Sequence, residues 1–180
     1  MVDNAKKVMG KLGREGIIFR QMDAQKLEFE AESFDFIFSS NVTWTLPDPR
    51  QAYSEMYRVL APGGCILNFD ANYGQAFKKQ DLEGLTEKQA VLADSSYENP
   101  ARSIEMLRER NEIAANLSIC EEKRPFWDIQ VLASLGMKKI TVDLAAETHF
   151  FGGQPVSGMD KAWYNPAALF MVTAQKEEQV

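Results

Sequence analysis

Asp23-Ala24, Ser40-Asn41 and the stretch from Asp70 to Tyr73 each stand where a short apolar run gives way to a polar connection. A carboxylate at such a point can accept from an exocyclic amine, and a hydroxyl or carboxamide can donate or accept. Asp70, Asn72 or Tyr73 could position a nucleophile. Ligands of doubly wound folds sit outside the carboxyl ends of the strands, so these run-ends are where binding chemistry is expected. Each also has a plainer reading. Asp23 can be an acid that caps the following turn, Asn41 a polar strand terminus, and the nearby Trp44 simple packing. His149 is the only histidine. It titrates near neutral pH and could act as a general base, or it could be structural.

The elements that must carry these residues follow from periodicity. Val2, Ala5, Val8, Met9 and Leu12 recur at helical spacing, with Gly13 as a stop. Gly16 to Met22 is short and β-rich and predicts a strand ending at Asp23. Residues 24–33 read as a polar connection with Leu27 and Phe29 as inward anchors. Phe34 to Ser39 has the apolar character of a strand covered on both faces. Asp48-Pro49 opens a helix with Pro in its first turn, and Ala52, Met56, Val59 and Leu60 supply its buried stripe. Arg58 is expected to tie the helix end down. Pro62-Gly63-Gly64 then turns the chain into a strand over residues 65–69. Crossovers of this length favour a parallel α/β sheet. Residues 74–124 are polar and helical in composition, with Arg102 to Leu117 the best-defined amphipathic segment, and read as an inserted helical cap. A helix from Trp127 to Leu135, a Gly136 stop, a strand from Lys139 to Leu144, an aromatic and Gly-rich connection over 148–166 and a final strand from Ala167 to Ala174 complete the chain.

The order from Asp23 to Asp70, with its Phe34-Asp35 pair, Ser39-Ser40-Asn41 step, Arg58-Val59-Leu60 helix end and Pro62-Gly63-Gly64 turn, resembles the middle of a class I S-adenosylmethionine-dependent methyltransferase of the small-molecule type. The resemblance runs from Met1 to about Lys176. It implies a single domain over 1–180 with a Rossmann-like, three-layer αβα sheet and a helical insertion after the fifth family strand. The family's strand order is 3-2-1-4-5-7-6, with the seventh antiparallel. Carried over residue by residue, the resemblance gives Asp23 the adenine amino group and the Ala24 N–H a ring nitrogen. It places Ser40 and Asn41 along the cofactor cleft. Trp44, Asp70, Tyr73 and His149 fall on the substrate side, with 74–124 and 148–166 as lid and pocket.

The sequence departs from the family in one respect that matters. Relatives carry a glycine-rich Asp/Glu-x-Gly-x-Gly turn, within a strand-helix-strand unit that holds the methionine and ribose parts of the cofactor, and no such turn occurs in these residues. The expectation is an N-terminally truncated sheet. The strand at Phe34 to Ser39 would then present an unpaired edge, a template for association. Gly16 to Met22 is expected to move in beside it, or two chains to pair along it as a homodimer, or the region to be disordered. Gly10, Gly13 and Gly16 follow a helix and precede a strand, so they are turn glycines and not a nucleotide fingerprint. Ala61 stands where relatives often have Lys.

Composition narrows the function classes. Hydrophobic residues make up 45% and charged residues 26% of 180, ordinary usage for one globular domain. The net charge of −6 disfavours nucleic acid, which needs concentrated Lys and Arg. Cys65 and Cys120 are far apart, without zinc or disulfide-framework spacing, and Cys65 reads as a small buried hydrophobe. With no apolar run near the roughly 20 residues of a membrane span and no signal-like N-terminus, a cytoplasmic protein is expected. The reading is S-adenosylmethionine-dependent methyl transfer to a small molecule, without a metal. The alternative is a non-catalytic remnant of the fold serving as an interaction module.

Overall fold

The computed structural model describes residues 2–74, 104–146 and 169–178. Most of the expected cap and the whole of the expected substrate-side loop, His149 included, lie outside the described residues.

Helix α1 (Val2–Lys11) forms as the spacing predicts, and Gly13, at φ +62, ends it. Its apolar stripe buries nothing, however: Val8 and Leu12 are 44% and 62% exposed. The strand expected at Gly16 to Met22 does not form. That segment makes no ladder, and Ile18 is 80% exposed. Side chains secure the following residues instead. The Glu55 carboxylate accepts from the Leu27 N–H at 2.8 Å, and the Arg58 guanidinium donates to the carbonyls of Phe29 and Leu27 at 2.8 and 2.9 Å. Phe29 then meets Phe34 edge-on at 4.8 Å. Leu27 and Phe29 are thus the anchors expected, and Arg58 ties its helix end to them.

Strand β1 (Phe34–Ser40) runs parallel to β2 (Leu60–Asp70), joined through helix α2 (Pro49–Val59). Asp48 caps α2 by accepting from the Gln51 N–H at 2.9 Å, with Pro49 in the first turn where its missing donor costs nothing. The expected stripe of Ala52, Met56, Val59 and Leu60 is buried. Helix α2 stops at Val59, before the glycines, and β2 already begins at Leu60 with an irregular register up to Cys65. Gly64 is required there: a Cβ would stand 2.9 Å from the carbonyls of Ala61 and Asp35.

Helix α3 (Ile104–Ala115), a short 3-10 turn (Ser118–Glu121), helix α4 (Phe126–Ser134), and strands β3 (Lys138–Asp143) and β4 (Phe170–Gln175) follow. The described sheet has the order β1-β2-β4-β3, with β4 antiparallel to both neighbours. This is the 4-5-7-6 part of the order that the resemblance implies. Lys176, just past β4, donates to the Leu60 carbonyl at 2.7 Å and so closes the end of α2. The core lies between the sheet and the α2–α4 layer, built from Tyr53, Met56, Ile66, Val131, Leu132 and Val172 with their neighbours.

Two expectations about burial are corrected. Strand β1 is not covered on both faces. Ile37 packs toward the core, but Phe36 and Phe38 on the opposite face are 55% and 54% exposed. Gly16 to Met22 does not move in beside it, and among the described residues β1 is the edge of the sheet. Cys65 shares that opposite face and is half-buried, not the buried hydrophobe expected, whereas Cys120 is buried.

Candidate functional site

Because β1 and β2 are parallel, their carboxyl ends lie side by side. Ser40 pairs with Phe69, and the Asn41 N–H donates to the Phe69 carbonyl at 2.9 Å. Asn41 turns the chain there at φ +54, a conformation Asn tolerates better than most residues. The structure therefore brings Ser40, Asn41, Asp70 and the residues after it to one end of the sheet. Ser40 is exposed at that end.

Asp23 shows the turn-capping geometry. Its Oδ1 accepts from the Gln25 N–H at 2.8 Å and from the Gln25 carboxamide at 3.1 Å, and these bonds hold the exposed carboxyl below its ordinary pKa. The Gln25 carboxamide oxygen in turn accepts from the Asp48 N–H at 2.7 Å, fixing the turn against the start of α2.

Asp70 is not on an open surface. It is fully buried, and its Oδ2 accepts from the Thr43 hydroxyl, from the Trp44 N–H at 3.1 Å and from Arg124 at 3.1 Å, while Oδ1 accepts from the Ala71 N–H at 2.8 Å. Trp44 belongs to a single 3-10 turn (Thr43–Thr45) and leans on Tyr73, ring centres 5.0 Å apart. Trp44 and Thr45 form one wall of a cavity of about 420 Å³, and Met106, Arg110, Ile113 and Leu117 form the other. The expected substrate-side residues Trp44 and Tyr73 thus come together, Trp44 on the cavity wall. Gly74 packs so closely on Cys120 that a Cβ would lie 2.0 Å from its sulfur, which draws the start of the expected cap onto the segment before α4.

The sequence reasoning missed the hub beneath this end of the sheet. The Arg124 side chain is completely buried. It reaches Asp128 through Nε at 3.0 Å and Nη2 at 2.7 Å, the Thr43 hydroxyl at 2.7 Å, and Asp70. Tyr53 donates to Asp128 at 2.8 Å, and Asn68 donates to the Tyr53 oxygen at 2.8 Å and to Thr43 at 3.2 Å. Burial pushes the Asp70 carboxyl above its ordinary value, although Arg124 and the Thr43 hydroxyl pull the other way. Burial opposes the Arg124 charge too, but the hydrogen bond to Asp128 and the two carboxylate charges outweigh it and raise the guanidinium further. Burial and the Asp128 charge lift the Tyr53 phenol well above its ordinary value, so it stays a neutral donor. One signal was readable. Asn68 and Asp70 are two polar residues on one face of an otherwise apolar strand, and Arg124 and Asp128 are spaced one helical turn apart.

Among the described residues no three His, Cys, Asp or Glu gather as a metal site, and no helix is long and apolar enough to cross a membrane. Residues 1–68 match the family model described as a methyltransferase domain. Over 65 residues the chain is 34% identical to the cycloartenol-C-24-methyltransferase of Arabidopsis thaliana, covering 36% of this chain and 19% of that protein. Over 68 residues it is 35% identical to the phosphatidylethanolamine N-methyltransferase of Cereibacter sphaeroides, covering 37% and 34%. These matches span about a third or less of the relatives' own lengths. The fold is shared with the solved (4+2)-cyclase SpnF at 15% identity and a TM-score of 0.53, covering 99% of this chain and 63% of that one.

Proposed function

From the match of residues 1–68 to the methyltransferase-domain model, we propose that this chain is a class I S-adenosylmethionine-dependent methyltransferase and transfers a methyl group to a small-molecule acceptor. The observation that carries this reading is the parallel pair β1–β2, which sets Ser40, Asn41 and the Trp44 turn at one end of the sheet, with Trp44 on the cavity wall. The sterol and phospholipid methyltransferases that match the same segment support an acceptor with a large apolar part. The cavity wall of Trp44, Met106, Ile113 and Leu117 suits one. We propose 74–124 as the cap of the domain and 148–166, with His149, as its substrate-side loop. We propose further that it works in the cytoplasm and without a metal.

The residues present fit part of the cofactor. Asp23 offers an exposed carboxylate and Ala24 its backbone, suited to the donor edge of adenine, while the Ser40 hydroxyl and Asn41 carboxamide stand at the carboxyl end of β1. No glycine-rich turn among the 180 residues is suited to the methionine end. S-adenosylmethionine supplies an activated methyl on a sulfonium, and the electron pair of the broken bond stays on sulfur. The protein's share is alignment. Trp44 and the α3 wall hold the acceptor, and the strand-end residues hold the adenine, so that encounter is replaced by positioning.

The test is calorimetric titration of S-adenosylhomocysteine, with Asp23→Ala as the comparison. Binding that weakens at least about tenfold on loss of a charged acceptor supports the assignment. Equal binding by both proteins removes Asp23 from the site, and no binding by either removes the cofactor reading. A second reading, a fold that has become an interaction module, is favoured by the exposed Phe36 and Phe38 at the sheet edge, along which we propose two chains pair. The shared fold of a cyclase also shows that this architecture alone does not fix methyl transfer.

A further inference from the structure

We propose that Arg124 is a positioning residue that sets the place of Trp44 on the cavity wall, acting through Asp70 and Thr43. The inference rests on the reading of that cavity as the acceptor site.

The 3-10 turn that carries Trp44 closes through the Thr45 N–H and the Thr45 hydroxyl, which both donate to the Val42 carbonyl, at 3.0 and 2.7 Å, and no side chain caps its start. Further anchors come from across the chain. Asp70 Oδ2 accepts the Trp44 N–H and the Thr43 hydroxyl, and Arg124 grips both Asp70 and Thr43, at 3.1 and 2.7 Å. Arg124 is itself held by both oxygens of Asp128 on α4. The guanidinium fork thus relates three partners at once, which a flexible ammonium cannot reproduce.

Arg124 also comes from the segment that follows the opposite wall. It follows α3, whose Met106 and Ile113 face Trp44 across the cavity, and its own segment is pinned to the sheet end by Asn72 donating to the Glu122 carbonyl at 3.3 Å. Ser118 in that segment donates to the Pro47 carbonyl, beyond the Trp44 turn, at 3.2 Å. One buried side chain therefore ties the Trp44 turn and the segment that follows α3 to the carboxyl ends of β1 and β2.

The test is fluorine NMR of the protein labelled with fluorotryptophan, the three resonances assigned by Trp44→Phe, Trp127→Phe and Trp163→Phe. Arg124→Lys keeps the charge and loses the fork. Tyr53→Phe removes another hydroxyl of the same hub, one that reaches Thr43 and Arg124 only through Asn68 and Asp128 and lies beside Trp127 at 6.2 Å. The Trp44 resonance is expected to move by more than its linewidth in Arg124→Lys and by clearly less in Tyr53→Phe, which disturbs Trp127. A Trp44 resonance unmoved in Arg124→Lys, or moved as far in Tyr53→Phe, overturns the proposal. Should Arg124→Lys not fold, Thr43→Val against Thr43→Ser decides it: displacement in the first and restoration in the second support it, and no displacement in the first overturns it. This readout needs neither cofactor nor acceptor. A protein whose Trp44 responds but which transfers no methyl group refutes the methyltransferase reading and leaves the positioning role standing.

Discussion

Arg124→Met removes the only cation from a buried set that also holds Asp70 and Asp128, and leaves two carboxylates without their counter-charge. Removing one partner of a buried pair costs about 3–5 kcal/mol, because the remaining charge stays desolvated. A domain of this size loses about 2–4 °C per kcal/mol, so the expected fall in Tm is roughly 6–20 °C. The loss should depend on pH. Asp70 in the intact protein already has a folded pKa raised above 3.8. A raised folded value means stability fully present below the unfolded pKa and lost as pH rises through the folded one. Without Arg124 to pull it down, the Asp70 carboxyl rises further and that loss deepens. Urea unfolding followed by circular dichroism at pH 5 and pH 7 should therefore show a larger penalty for Arg124→Met at pH 7. Asp70→Asn leaves one cation facing one anion, and in that background the same Arg124→Met change should cost less. A penalty below about 1 kcal/mol at both pH values, or one equal in the two backgrounds, would refute the electrostatic account of the hub.

Two further substitutions test the frame around the site. Gly64→Ala places a Cβ 2.9 Å from two carbonyl oxygens and from the Leu60 side chain, so β1 and β2 must shift apart. Overpacking of this kind costs about 1–3 kcal/mol, read as a lower urea midpoint with an unchanged slope. Phe36→Lys with Phe38→Lys puts charge on the exposed face of the edge strand. Light scattering of the unsubstituted chain should show a dimer that this pair of changes converts to monomer, and a monomer in both would dismiss pairing along β1.

How far the sequence disclosed this structure depends on how local each signal was. Helix α2 was legible because Asp48, Pro49 and its apolar stripe act within a turn or two of one another, and the parallel β1–β2 pair followed from the length of the crossover. Gly16 to Met22 was misread because its Ile17-Ile18-Phe19 core has strand composition, and a strand also needs a neighbour with free backbone groups. Here the next residues are taken by Glu55 and Arg58, whose side chains hold Leu27 and Phe29 by their backbone atoms, and the segment before them joins no ladder. Asp23 lost its clearest ligand-binding signature for a similar reason, since Gln25 occupies one of its oxygens in a purely local turn.

The hub was illegible because Thr43, Asn68 and Arg124 are related only by the fold. Its existence nonetheless constrains what the fold is for. A buried ion set is seldom a source of net stability, since apolar residues of similar volume would usually do as well. What Arg124, Asp70 and Thr43 provide that Leu or Met could not is direction. Each hydrogen bond fixes an angle as well as a contact, and all of them converge where β1 and β2 end and the Trp44 turn begins. A sheet that served only as packing scaffold would gain nothing from angular precision at that end. Precision there is of use to a site that must hold a reacting acceptor in line, which is the demand methyl transfer makes of a protein.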